Sequence, residues 1–136
     1  MRAVFPGSFD PATQGHLDVA RRVAGMFDEV VLCVLTNPAK SGRLPLAERL
    51  ALLEDLTRDL DNVTVDSSPG RLLVDYCRGA GIDVIVRGLR TPADLGHELP
   101  MAQMNRHLSG IETLLVPTSP EQAYLSSTVV ATTGRR

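Results

Sequence analysis

At 136 residues, with 43% apolar and 22% charged residues, the chain fits one soluble globular domain with a modest core and argues against a two-domain enzyme. A formal net charge of −2 excludes the global basic field that gathers nucleic acid, so any recognition of phosphate must be local. Its two cysteines, Cys33 and Cys77, form no CxxC or Cys/His cluster and read as reduced structural thiols.

The elements follow in chain order. Ala3-Val4-Phe5 reads as a short buried strand that leads into FPGSFDPATQGHLDVARR. There a Gly/Pro-rich turn is followed by Leu17, Ala20, Ala24 and Phe27 at the spacing of one helical face. EVVLCVL at 29 to 35 is a continuous apolar run suited to a strand covered on both faces. After Pro45, residues Leu46, Leu50, Leu53, Leu56 and Leu60 make a helical stripe. NVTV predicts a third strand and SSPG a turn; Leu72, Leu73, Tyr76, Cys77 and Ala80 predict a helix closed by Gly79 and Gly81. DVIV at 83 to 86 is a fourth strand, ELPMAQMNRHL lies in a helix, and ETLLVP is a fifth strand. The last segment has a helix start at Ser126 or Ser127 that soon meets poor helix continuers. Strands alternating with helices predict an α/β fold: a single Rossmann-like domain over 1–136, a five-stranded parallel sheet with helices on both faces. The first strand begins too early for a signal peptide and no apolar run is long enough to cross a bilayer, so a cytoplasmic protein without membrane partners is expected.

In such sheets ligands bind beyond the carboxyl ends of the strands. The loops that follow strands, at 6 to 16, 36 to 43, 87 to 94 and 117 to 127, bring together His16, Lys40, Arg87, Arg90 and Ser127. Taken singly, each has a plain structural reading: His16 as a helix cap, Lys40 as a solvated loop residue, the arginines of RGLR as a surface turn. Together, three separate cations at the carboxyl ends of strands suit a polyphosphate, gripped by Arg through a planar fork and by Lys as a point charge. Neither the phosphate loop of ordinary NTPases nor the GxGxxG of dinucleotide-binding domains is present. No residue set has structural-metal spacing, and Mg2+ carried mainly by ATP phosphates is the expected cofactor. Met101 and Met104 read as helix packing, and His107 as a surface or structural residue.

PGSFDPATQGHLD, NPAKSG, LAERLALL, LLVDY, VIVRGLRTPAD and MAQMNRHL, in this order, closely resemble the bacterial phosphopantetheine adenylyltransferases. These belong to the nucleotidyltransferase superfamily marked by His/Thr-x-Gly-His, represented here by Thr13 to His16. The resemblance implies transfer of AMP from ATP to 4'-phosphopantetheine, giving dephospho-coenzyme A and pyrophosphate in coenzyme A biosynthesis. By position it implies that His16 contacts the α-phosphate and stabilises the transition state, with Lys40 as the second catalytic residue. Ser8, Lys40 and Arg87 would hold the acceptor phosphate, and Leu72 and Leu73 would line the pantetheine arm. Ser8, Phe9, His16, Arg90, Glu98, Ser126, Ser127 and Thr128 would meet the nucleotide. A homo-oligomer, a homohexamer by family habit, is also implied.

The sequence departs from that pattern at two places. His97 stands where a tyrosine is usual, and Pro100 two residues beyond Glu98 predicts a kink that costs about 3 kcal/mol. Gln122 and Ala123 replace an aromatic before the serines, Ala131-Thr132 replaces Lys-Glu, and the chain is short of the family's C-terminal helical segment. Two alternatives therefore stand beside adenylyl transfer: a non-catalytic homologue that binds coenzyme A or phosphopantetheine, and a nucleotidyltransferase acting on another phosphorylated acceptor.

Overall fold

The computed structural model describes residues 1–37 and 42–119. Five strands, β1 (Arg2–Gly7), β2 (Glu29–Thr36), β3 (Val63–Pro69), β4 (Val84–Leu89) and β5 (Glu112–Pro117), alternate with four helices. The helices are α1 (Gln14–Ala24), α2 (Leu46–Leu56), α3 (Leu73–Ala80) and α4 (Pro92–Ser109). All strand pairs are parallel, in the order β3-β2-β1-β4-β5. Chain order therefore reverses between β1 and β4, and the crevice beyond their carboxyl ends is the switch point where such sheets bind ligands.

Alternation along the central strands divides the core. Ala3, Phe5, Leu32, Val34, Val84 and Val86 pack under Val19, Ala20 and Val23 of α1 and Leu53 of α2. Val4, Val31, Cys33 and Ile85 face the other way, under Tyr76 and Cys77 of α3. Burial first of all pushes the thiols of Cys33 and Cys77 up to about 12 and about 11, which fits inert packing residues.

Several boundaries differ from the sequence expectation. β3 runs past NVTV to Pro69, because Ser67 and Ser68 continue the ladder opposite Val34 and Leu35; the turn falls on Gly70, at φ +69. Leu72 precedes α3 as its N-cap and is exposed. Gly79 lies inside that helix, and Gly81, at φ +67, alone closes it. Leu60 falls beyond the end of α2. Met101 and Met104, expected to pack, are about half exposed, because the only residue that α4 buries fully is Glu98. α4 also continues as one element through Pro100; Gly96, whose carbonyl the proline deprives of a donor, has the open surroundings in which a glycine backbone can yield.

Candidate active site

The turn after β1 is shaped by Phe9. Its φ of +45 is costly for a bulky residue and accompanies a ring that is buried in the core, edge-on to Phe5 at 5.5 Å and to His16 at 4.9 Å. Ser8 is left at the surface. The Phe9 side chain is thus spent on packing, and only its backbone remains for a ligand.

His16 occupies the third position of α1, and Thr13 is the N-cap. The His16 N–H donates to Thr13 Oγ1 at 3.3 Å, while the Thr13 N–H donates to His16 Nδ1 at 2.9 Å. A backbone N–H can only donate, so Nδ1 accepts and the neutral ring carries its proton on Nε2. Burial, with the rings of Phe9 and Phe5 edge-on to it, lowers the imidazole pKa from 6.5, and the charges of Arg90 and Arg87 lower it further. At neutral pH the ring is therefore uncharged, fixed by its own helix cap, and left with Nε2–H as a donor.

Arg87 and Arg90 leave the end of β4 in different states. Arg87 forks onto Glu98 through Nε at 2.9 Å and Nη2 at 2.8 Å, and its Nη1 donates to the carbonyl of Pro6 at 2.6 Å. This pins α4 across the β4–β1 switch point. Arg90 is 71% exposed and meets Asp94 only at 3.7 Å, so its guanidinium faces solvent. Glu98, expected beside the nucleotide, has its carboxylate on Arg87. Leu73 packs partly against the α3-side core. Lys40, Ser126, Ser127 and Thr128 lie outside the described residues.

Three features of this region were missing from the sequence reading. Asp10 accepts the backbone N–H groups of Arg43 and Leu44 at 2.7 and 2.8 Å. Arg49 is buried in α2 and donates to the carbonyls of Leu44 and Ser8. Asp18 accepts from Arg22 at 2.8 Å and from Ser119 Oγ at 3.0 Å, and Arg22 also donates to the carbonyl of Pro117, tying α1 to the end of β5. The local signal for Asp10 was its place in a Ser-Phe-Asp-Pro turn, where a carboxylate readily caps amides; nothing local marks Arg49.

Comparison with known proteins adds descent to this geometry. Residues 4–132 match the model of the cytidylyltransferase-like family. The chain is 54% identical over 129 residues to the phosphopantetheine adenylyltransferase of Corynebacterium diphtheriae, covering 94% of this chain and 80% of that protein. The corresponding protein of Clavibacter michiganensis subsp. michiganensis is 51% identical over 131 residues, with the same coverage. Among solved structures, a lipopolysaccharide core biosynthesis protein from Thermoplasma volcanium superposes with a TM-score of 0.62 at 22% identity, covering 90% of this chain and 98% of that one. A universal stress protein in complex with cAMP gives 0.58 at 18% identity, covering 88% of this chain and 98% of that one. The structural likenesses carry the fold alone, whereas half-identity over nearly the whole chain carries ancestry: the chain belongs to the cytidylyltransferase-like family and, within it, to the phosphopantetheine adenylyltransferases, which are nucleotidyltransferase enzymes.

Proposed function

We propose that the crevice at the β1/β4 switch point transfers AMP from ATP to 4'-phosphopantetheine, with His16 as the residue that meets the reacting α-phosphate. A phosphate oxygen of the acceptor forms a bond to the α-phosphorus, the bond from that phosphorus to the α,β-bridging oxygen breaks, and pyrophosphate leaves with the electron pair. No base is needed, since the attacking phosphate is already an anion. Catalysis then consists of alignment and of donors aimed at the charge that grows on the α-phosphoryl oxygens. The observation that carries this reading is the Thr13 N–H to His16 Nδ1 hydrogen bond, which commits the ring to donating from Nε2.

The other roles follow from position. Ser8 and Lys40 hold the acceptor phosphate, joined by the N–H groups of Arg87 that Glu98 and Pro6 leave over. Leu72 and Leu73 line the pantetheine arm, and Arg90 with Ser126, Ser127 and Thr128 takes the β and γ phosphates. Glu98 serves the nucleotide through Arg87 and the placement of α4. Phe9 offers its backbone. Mg2+ comes in on the ATP phosphates and supplies charge neutralisation there.

The departures at 97 and 100 leave α4 whole and the Glu98–Arg87 fork closed, which favours a working transferase over a homologue that only binds. Leu95, Leu99, Met101, Met104 and Leu108 of α4 and Leu114 of β5 are all substantially exposed. Apolar surface of that kind supports a homo-oligomer, hexameric by family habit. No helix among the described residues is long and apolar enough to cross a membrane, and we place the enzyme in the cytoplasm. The test is pyrophosphate release from ATP, Mg2+ and 4'-phosphopantetheine beside His16→Ala. Release that the variant abolishes is expected; no release by the unaltered protein would refute the reading.

A further inference from the structure

Asp10 and Arg49 join two loops that the proposed mechanism requires to cooperate but does not itself connect. Both oxygens of Asp10 are occupied by amides more than thirty residues away in sequence, Oδ2 by Arg43 N–H at 2.7 Å and Oδ1 by Leu44 N–H at 2.8 Å. Arg49 answers from the other side. Only 7% exposed, it donates from Nε to the Leu44 carbonyl at 3.0 Å and from Nη1 to the Ser8 carbonyl at 3.1 Å. Each loop is therefore held by its main chain: the Ser8 turn by Arg49, and the segment after Lys40 by Asp10 and Arg49 together.

Gly42 supplies the third part. Although it is at the surface, an ideal Cβ there would stand 2.7 Å from Asp10 Oδ2 and 3.1 Å from Arg49 Nη2. The backbone passes so close to the pair that only a hydrogen fits. Charge-assisted bonds from a carboxylate to amides and from a guanidinium to carbonyls are roughly twice as strong as neutral ones, and the two side chains attract each other.

We propose that Asp10, Arg49 and Gly42 form a positioning unit that fixes the second loop against the Ser8 turn and so sets the alignment of the acceptor phosphate. None of the three touches substrate; they act through the residues they hold. The inference rests on the adenylyl-transfer reading, and its test separates the two.

Asp10→Asn keeps the size and one acceptor but turns an NH2 group toward the second amide. With ATP and 4'-phosphopantetheine it raises KM for the acceptor, leaves KM for ATP in place, and lowers kcat by on the order of 10²-fold, the cost of misplacing a reactant by about 1 Å. Gly42→Ala does the same in the unaltered background and adds little to Asp10→Ala, because the new methyl then has no carboxylate to meet; contacting residues are expected to be non-additive in this way. A fall in kcat with both KM values unchanged, tracking the folded fraction, would reduce the unit to a stabilising tie and overturn the proposal, as would losses that simply add. Hydrogen exchange at the Arg43 and Leu44 amides decides the clamp even without turnover. Protection that Asp10→Asn removes is expected, and free exchange in the unaltered protein overturns the clamp whatever the enzyme does.

Discussion

Two helices of this protein start with the same device and use it differently. α4 is capped by Thr91, whose Oγ1 accepts from the Asp94 N–H at 3.3 Å, while Asp94 Oδ2 accepts from the amides of Thr91 at 3.2 Å and Arg90 at 2.9 Å. α1 is capped by Thr13 in the same reciprocal way, but its third residue is His16. A carboxylate suits that place because the helix N-terminus is partly positive. An imidazole suits it only when uncharged, and the burial and arginine charges around His16 keep it so. In α4 the box does no more than start the helix, whereas in α1 it selects a tautomer and leaves Nε2–H without a hydrogen bond to the described residues. An ordinary cap thereby orients the ring proposed to meet the α-phosphate. The helices differ in attachment too: α1 buries Val19, Ala20 and Val23, and α4 buries Glu98.

The sharpest way to break this comparison is to make the two boxes alike. His16→Asp gives α1 the box of α4, so a urea melt should show a fold close to the original in stability, while pyrophosphate release falls by on the order of 10²–10³-fold, the usual loss of a transition-state donor. Near-normal release by that variant would mean that the ring does not donate. The attachment of α4 is tested by Glu98→Ala, which strips Arg87 of its partner. Because Arg87 keeps about a third of its surface in water, the expected loss is about 2 kcal/mol, below that of a fully buried pair, with KM for the acceptor rising as Arg87, left with only the Pro6 carbonyl, loses the fork that orients it. Smaller still are the caps. Thr13→Ala and Thr91→Ala should each cost about 1 kcal/mol in denaturant unfolding, but only Thr13→Ala should lower kcat, since only its partner is proposed to meet the α-phosphate. Equal kinetic effects would erase the distinction.

The same contrast explains what could be read in advance. The central strands were legible because parallel strands buried on both faces are continuous apolar runs, and α1 and α2 because apolar residues from Leu17 onward and the leucines after Pro45 recur at helical spacing. β3 was cut short because its second half is polar: Asp66 belongs to the ladder and accepts from Tyr76 Oη at 2.7 Å, ten residues on, a partnership that no local pattern announces. Arg49 was hidden for the same reason, its carbonyl partner at Ser8 lying 41 residues back. The outward turn of Met101 and Met104 was illegible because periodicity gives the spacing of an apolar face, not what covers it. His16 was singled out with its plain reading as a cap and its functional reading standing as rivals; the structure shows the cap, and that same hydrogen bond leaves the ring in the tautomer that the proposed role requires.

That hydrogen bond also carries a pH signature, the smallest effect expected. Protonation at Nδ1 would set an N–H against the Thr13 N–H and open the cap. The folded-state pKa of His16 lies below 6.5, owing first to burial and then to Arg90 and Arg87. Between that lowered value and 6.5 the unfolded chain binds more protons than the folded one, so stability rises with pH across this window and is lost as pH falls through the folded pKa. Urea midpoints measured at steps down from pH 7 should therefore decline on the acid side of 6.5, and His16→Ala should remove that component. Arg90→Gln takes away one cation that depresses the pKa; it narrows the window from below and makes the decline shallower. An acid-side decline that Arg90→Gln deepens would mean that Arg90 holds the ring in place more than it repels the ring's proton, and the electrostatic half of the contrast between the two helix starts would fall.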